Sequence, residues 1–167
     1  EYAQADIMEL GSLDRQFDLI ESSGVLHHLE EPLAGWRVLT DLLSPGGVMR
    51  IGLYSETARQ HIVAGRSLIA EKGYVASAKD IRRCRQEIIR MAEDTNAEME
   101  KIINLPDFFS LSECRDLLFH VQEHRFTLPQ IKAALKSLNL EFLGFEMEDQ
   151  SILRKFKEVY PNKSALT

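Results

Sequence analysis

The chain has 167 residues, 44% of them hydrophobic and 28% charged, with a formal net charge of −6. That is enough apolar material for an ordinary globular core. The acidic balance removes any general electrostatic reason to expect nucleic-acid or anionic-membrane binding. No apolar run approaches membrane-spanning length and no signal-peptide pattern opens the chain. Two isolated cysteines, Cys84 and Cys114, fit reduced thiols in a cytoplasmic protein better than a disulfide scaffold.

Residues 2–7 read as the end of a short strand. The opening at Glu1 lands in mid-pattern, which leads us to expect a piece of a larger domain. Phe17-Asp18-Leu19-Ile20-Glu21-Ser22 is a short apolar run of the kind that makes a buried parallel strand. Pro32 suits the first turn of a helix that carries Leu33, Trp36, Leu39 and Leu43 at helical spacing. Ser44-Pro45-Gly46-Gly47 should break it, and Val48 to Leu53 is apolar again. Two short strands joined by a crossover helix should be parallel and right-handed, an α/β signature.

Helices dominate the middle. Ser55 can cap one that ends near Lys72-Gly73, and Ser77 with Asp80 opens another with Ile81, Cys84, Ile88 and Met91 inward. Charge then reverses, from net +3 over residues 79–90 to four acids at Glu93, Asp94, Glu98 and Glu100. One continuous helix would oppose its own dipole, so the pattern predicts a break at Thr95, with a Thr95–Glu98 capping box. Ser110 and Glu113 open a helix expected to run to about His124, with Leu117, Leu118 and Val121 inward. Thr127 and Gln130 open the next, with Ile131, Leu135 and Leu138 buried and Asn139 as its stop. Leu140 to Met147 alternates like a strand, and Ser151 begins a last amphipathic piece (Ile152, Phe156, Val159) that Pro161 ends.

The ordered set Ala5-Asp6-Ile7, Phe17-Asp18-Leu19-Ile20, Val25-Leu26-His27-His28-Leu29, Pro32 and Leu42-Leu43-Ser44-Pro45-Gly46-Gly47 resembles the later motifs of class I S-adenosylmethionine-dependent methyltransferases. The strong match covers residues 5–54, about a third of the chain. The resemblance implies an incomplete Rossmann-like sheet: a partial cofactor-binding core at 1–54, a helical insertion at 55–126, and a returning helix, strand and C-terminal helix at 127–167. The Gly-rich turn and ribose-binding acid of that family would lie before Glu1, and the chain holds no Gly-x-Gly motif. On this reading the parent protein transfers a methyl group from S-adenosylmethionine to an unknown acceptor, and this stretch alone is inactive.

In open α/β sheets ligands sit beyond the carboxyl ends of the strands. By resemblance Asp6 and Ile7 would meet the adenine, and Ser22, Ser23 and Gly24 would line the methionine end. A capping aspartate and a small-residue turn are the plainer alternatives. Neighbouring His27 and His28 diverge on any regular element, so one would serve as general base and the other as packing. Tyr54 is a candidate acceptor contact, whereas Trp36 reads as core. The run Arg82, Arg83, Arg85 and Arg90 reads first as a solvated helix face.

Two other readings stay open. The helices could form a non-catalytic interaction or dimerisation module. His120-Val121-Gln122-Glu123-His124 matches the H-x-x-E-H pattern of inverted zinc peptidases, provided a helix puts both His on one face, though no third ligand is identifiable. The exposed edge of the 17–22 strand, or the helical insertion, could pair with a second copy.

Overall fold

The computed structural model describes residues 3–120, 122–147 and 149–166. They divide into two compact units. The first takes residues 3–26, 31–53 and 126–166, and the second takes 27–30 and 54–125.

The first unit is built on a parallel strand pair, β1 (Phe17–Ser23) and β2 (Leu43–Gly52), joined through helix α1 (Pro32–Asp41). This is the incomplete Rossmann-like α/β pattern expected. Pro32 sits in the first turn of α1, where no N–H is needed. Trp36 and Leu39 are buried on its inner face, while Leu33 points outward and is 45% exposed. Leu43 departs from expectation, because α1 stops at Asp41 and Leu43 starts β2.

The Pro-Gly-Gly turn is absorbed into β2 as an irregularity. Phe17 pairs with Leu43 and Leu19 with Val48, so Ser44–Gly47 bulge out opposite a single step of β1. Gly47 is required there, since a Cβ would lie 2.9 Å from the Ser44 carbonyl oxygen and 3.1 Å from that of Asp18.

The strand expected at residues 2–7 falls partly outside the described residues. Residues 3–6 are not in a strand, and Ile7–Ser12 form a 3-10 helix that packs on α1. Asp6 explains the change, because its carboxylate caps that turn and competes with extended pairing.

The strand expected over residues 140–147 is absent among its described residues. The stretch makes no ladder, Leu143 is 74% exposed, and Glu146 reaches Arg50, which also holds its cross-strand partner Glu21. Alternation without a neighbouring strand to satisfy the backbone leaves an extended segment. Helix α6 (Leu128–Ser137) has the full Thr127–Gln130 capping box, and Asn139 leaves it at φ +54°. Ala134 and Leu138 carry its buried face, with Ile131 and Leu135 half-buried. Helix α7 (Gln150–Val159) is capped by Asp149, two residues before the expected Ser151, and none of its residues is buried.

The second unit is mainly helical, with the short strand β3 (Tyr54–Ser55) paired to a second at Arg125–Phe126. Helix α2 (Gln60–Lys72) begins later than expected, because the Ser55 hydroxyl accepts from Ala58 N–H and forms a turn of its own. Gly73 closes it at φ +65°.

Helix α3 (Ala78–Glu93) is capped by Ser77, and the chain breaks before α4 (Ala97–Ile103). The cap of α4 is Asn96, which accepts from Glu98 and Met99 N–H, not Thr95. Thr95 occupies the left-handed turn at φ +70°, so the expected Thr95–Glu98 box does not form.

Helix α5 (Leu111–Phe119) starts on the Ser110 cap and ends at Phe119, short of the expected His124. Its inward Leu117 and Leu118 join Ile62, Ile81, Cys84, Ile88, Met99, Ile102 and Phe108 in one core. Each fully buried aliphatic or aromatic side chain there contributes about 1.5–3 kcal/mol. Burial pushes the Cys84 and Cys114 thiols up to about 12 and about 11, which keeps both protonated and inert. No helix among the described residues is long and apolar enough to cross a membrane.

Candidate functional site

The residues singled out by sequence fall in both units. In the first, the carboxylate of Asp6 accepts from Met8 N–H at 2.9 Å, and Ile7 opens the turn that Asp6 caps. Ser22 and Ser23 end β1. Ser22 is 6% exposed, and its hydroxyl oxygen finds no hydrogen-bond partner among the described residues. A buried hydroxyl left in that state costs about 1–3 kcal/mol, so the position invites a polar guest. Gly24 follows at φ +76°, with no atom within 4 Å of where a Cβ would stand.

In the second unit His27, His28 and Tyr54 come together. His27 is 1% exposed, and its ring stacks on Tyr54 with centroids 3.8 Å apart and 29° between planes. The guanidinium carbon of Arg59 lies 3.8 Å from the centre of the same Tyr54 ring. Two groups cannot share one face at that distance, so Tyr54 is sandwiched between imidazole and guanidinium. His28 meets His27 edge-on at 4.4 Å and is only half-buried. The sequence left open which histidine packs. His27 is the packed ring, and His28 is the more accessible one.

The tautomer of His28 follows from its partner. Its Nδ1 lies 2.9 Å from the Gln122 carbonyl oxygen, which can only accept. Nδ1 must therefore carry the proton, and in the neutral ring Nε2 holds the lone pair. His120 stands beside it with ring centroids 4.1 Å apart, and its Nδ1 is 2.7 Å from the same oxygen. Gln122 Nε2 donates to Leu29 O at 3.2 Å, and His124 N–H donates to His27 O at 2.8 Å. The segment after α5 is thus a strap that holds the 27–29 turn.

This arrangement removes the premise of the zinc reading. His120 is extended at φ −63°, ψ 133°, so His120 and His124 do not share a helix face. The H-x-x-E-H signal was real, but it marks the strap. Val121 lies outside the described residues.

Sequence reasoning missed the group around Glu123, whose side chain is 1% exposed. Arg59 grips its carboxylate with Nε at 3.3 Å and Nη2 at 2.5 Å, while Arg66 Nη2 lies at 3.1 Å and Arg125 Nη1 at 3.7 Å. Burial alone would push the Glu123 carboxyl up. The Arg59 hydrogen bond and the charges of Arg66, Arg59 and Arg125 outweigh it and hold the carboxyl below the usual glutamate range. Burial pushes Arg66 down from its ordinary value and Glu123 opposes that, while Arg59 and Arg125 add to the lowering. Arg59 and Arg66 stand seven residues apart, two turns along one face at α2, and Arg125 lies two residues from Glu123, but nothing local joins the first pair to the second.

Residues 1–51 match the family described as "Methyltransferase domain". A Synechococcus protein described as uncharacterized is 27% identical over 161 residues, which cover 89% of this chain and 37% of that relative. The chain therefore spans little more than a third of the length of that curated relative.

Proposed function

Taking residues 1–51 as methyltransferase-domain sequence, we propose that the protein transfers a methyl group from S-adenosylmethionine to an acceptor that must lose a proton. The observation that carries this reading is the family match over a parallel β1–β2 pair, at whose carboxyl end a buried Ser22 hydroxyl lacks a partner among the described residues. In such sheets that end is where ligands sit.

The residues present fit part of the cofactor. Ser22 can donate to its methionine end, Gly24 leaves room for it, and Asp6 with the Ile7 N–H can meet the adenine edge. The bound cofactor supplies an electrophilic methyl on a sulfonium, so the protein has mainly to align the acceptor. Within the second unit, taken by itself, His28 Nε2 is the candidate proton acceptor, oriented by its Nδ1–H donation to Gln122. His27 and Tyr54 hold the ring next to it in place. We assign the Gly-rich cradle to sequence outside residues 1–167, and a cytoplasmic location suits the reduced, buried thiols.

Titration of S-adenosylhomocysteine into residues 1–167 and into the full-length protein tests the proposal. Binding only by the full-length protein is expected. Absence of binding in both would overturn it. The second reading, a helical interaction module, draws on the self-contained core of the second unit. It requires that second result.

A further inference from the structure

We propose that the Arg59–Arg66–Arg125 cluster receives an anionic group, a carboxylate or a phosphate, on the methyl acceptor. This rests on the methyltransferase reading given above. Three guanidinium groups converge on the one buried carboxylate of Glu123. A structural ion pair needs a single arginine, and Arg59 already provides the two-point grip. Among the described residues the other acid paired with the group is Glu56, which takes Arg125 Nε at 3.1 Å and is itself 40% exposed. The group therefore keeps a positive excess within an acidic chain. Arg66 Nε is buried without a hydrogen-bond partner among the described residues. The Nη2 of Arg66 is already shared between Glu123 and the Leu117 carbonyl oxygen, so Nε is the buried donor left over. An unpaired cationic donor out of water is costly, and an incoming anion would satisfy it.

Placement favours the acceptor as the source of that anion. Arg59 lies on the Tyr54 ring, and Tyr54 stacks on His27 beside His28, the proposed base. A group held by the arginines would anchor the acceptor near the proton-accepting ring. The planar fork of arginine suits carboxylate and phosphate alike.

The test follows the arginine Nε–Hε resonances of residues 1–167 as inorganic phosphate or malonate replaces chloride at constant ionic strength. Saturable shifts at Arg66 and Arg125 are expected. Arg125→Gln, which removes the longest of the three contacts, should weaken binding about tenfold. Arg37→Gln on α1 should leave it unchanged. A preference for phosphate or for malonate identifies the acceptor's group. No saturable shift with either anion, or equal affinity in Arg125→Gln, overturns the proposal. Because no cofactor is present, anion binding that persists while the full-length protein binds no S-adenosylhomocysteine would retain the site and sink the methyltransferase reading instead.

Discussion

His28 and His120 stand with ring centroids 4.1 Å apart, each with its Nδ1 within hydrogen-bonding distance of one oxygen, the carbonyl of Gln122. That shared acceptor fixes the tautomer of His28. It also ties the accessible histidine to a segment that periodicity assigned to a helix.

His28→Gln in the full-length protein should slow methyl transfer about 100-fold for an acceptor that must be deprotonated. It should barely alter thermal stability, because the ring is only half-buried. His27→Ala should act mainly on stability, losing about 3 kcal/mol by removing a buried, stacked ring, with a smaller loss of rate because that ring also supports His28. Paired urea melts and single-turnover rates check the contrast. Equal loss of rate in both variants with unchanged melts would count against the division of roles.

Glu123→Gln should cost about 3 kcal/mol near neutral pH, since three arginines lose their buried partner. The sign with pH follows from the lowered carboxyl. Its stabilisation is present above the ordinary glutamate range and lost as pH falls through the lowered value. Wild type should therefore lose stability more steeply than the variant on the acid side. Parallel acid unfolding curves would refute this.

Thr95→Gly should stabilise the chain by about 0.5–1 kcal/mol, because a β-branched residue is held at φ +70° where glycine sits freely. Asn96→Ala next to it should destabilise by about 1 kcal/mol through loss of the α4 cap. Opposite shifts of melting temperature from adjacent residues are the signature.

Leu19 and Val48 are register partners in the parallel pair, yet remain 67% and 44% exposed. Parallel sheets are ordinarily covered on both faces. Residues 1–167 alone should self-associate with rising concentration, and Leu19→Lys should suppress it. Light scattering showing a monomer at all concentrations would dismiss the expectation.

The legible parts were those dictated by local chemistry. Pro32, the Ser77 and Ser110 caps, Gly73, the Thr127–Gln130 box and the Asn139 stop all act within a turn of the chain. Errors arose where two local options compete closely. Asn96 displaced Thr95 as a cap because either side chain can reach the first turn of α4, and the backbone break placed Thr95 in the left-handed position. The Leu140–Met147 alternation fits a strand only if another strand satisfies its backbone, and that condition is not local.

By itself the sequence determined the α/β opening, the parallel crossover, the helical middle and the family resemblance, because spacing, capping and turn chemistry act over a few residues. Tertiary structure alone decided that His27 packs while His28 stays accessible, that His120 and residues 122–125 strap the 27–29 turn, and that Arg59 and Arg66 meet Glu123 and Arg125. Hydrogen bonding and charge act through space, so residues distant in the chain become one site only when the backbone brings them together.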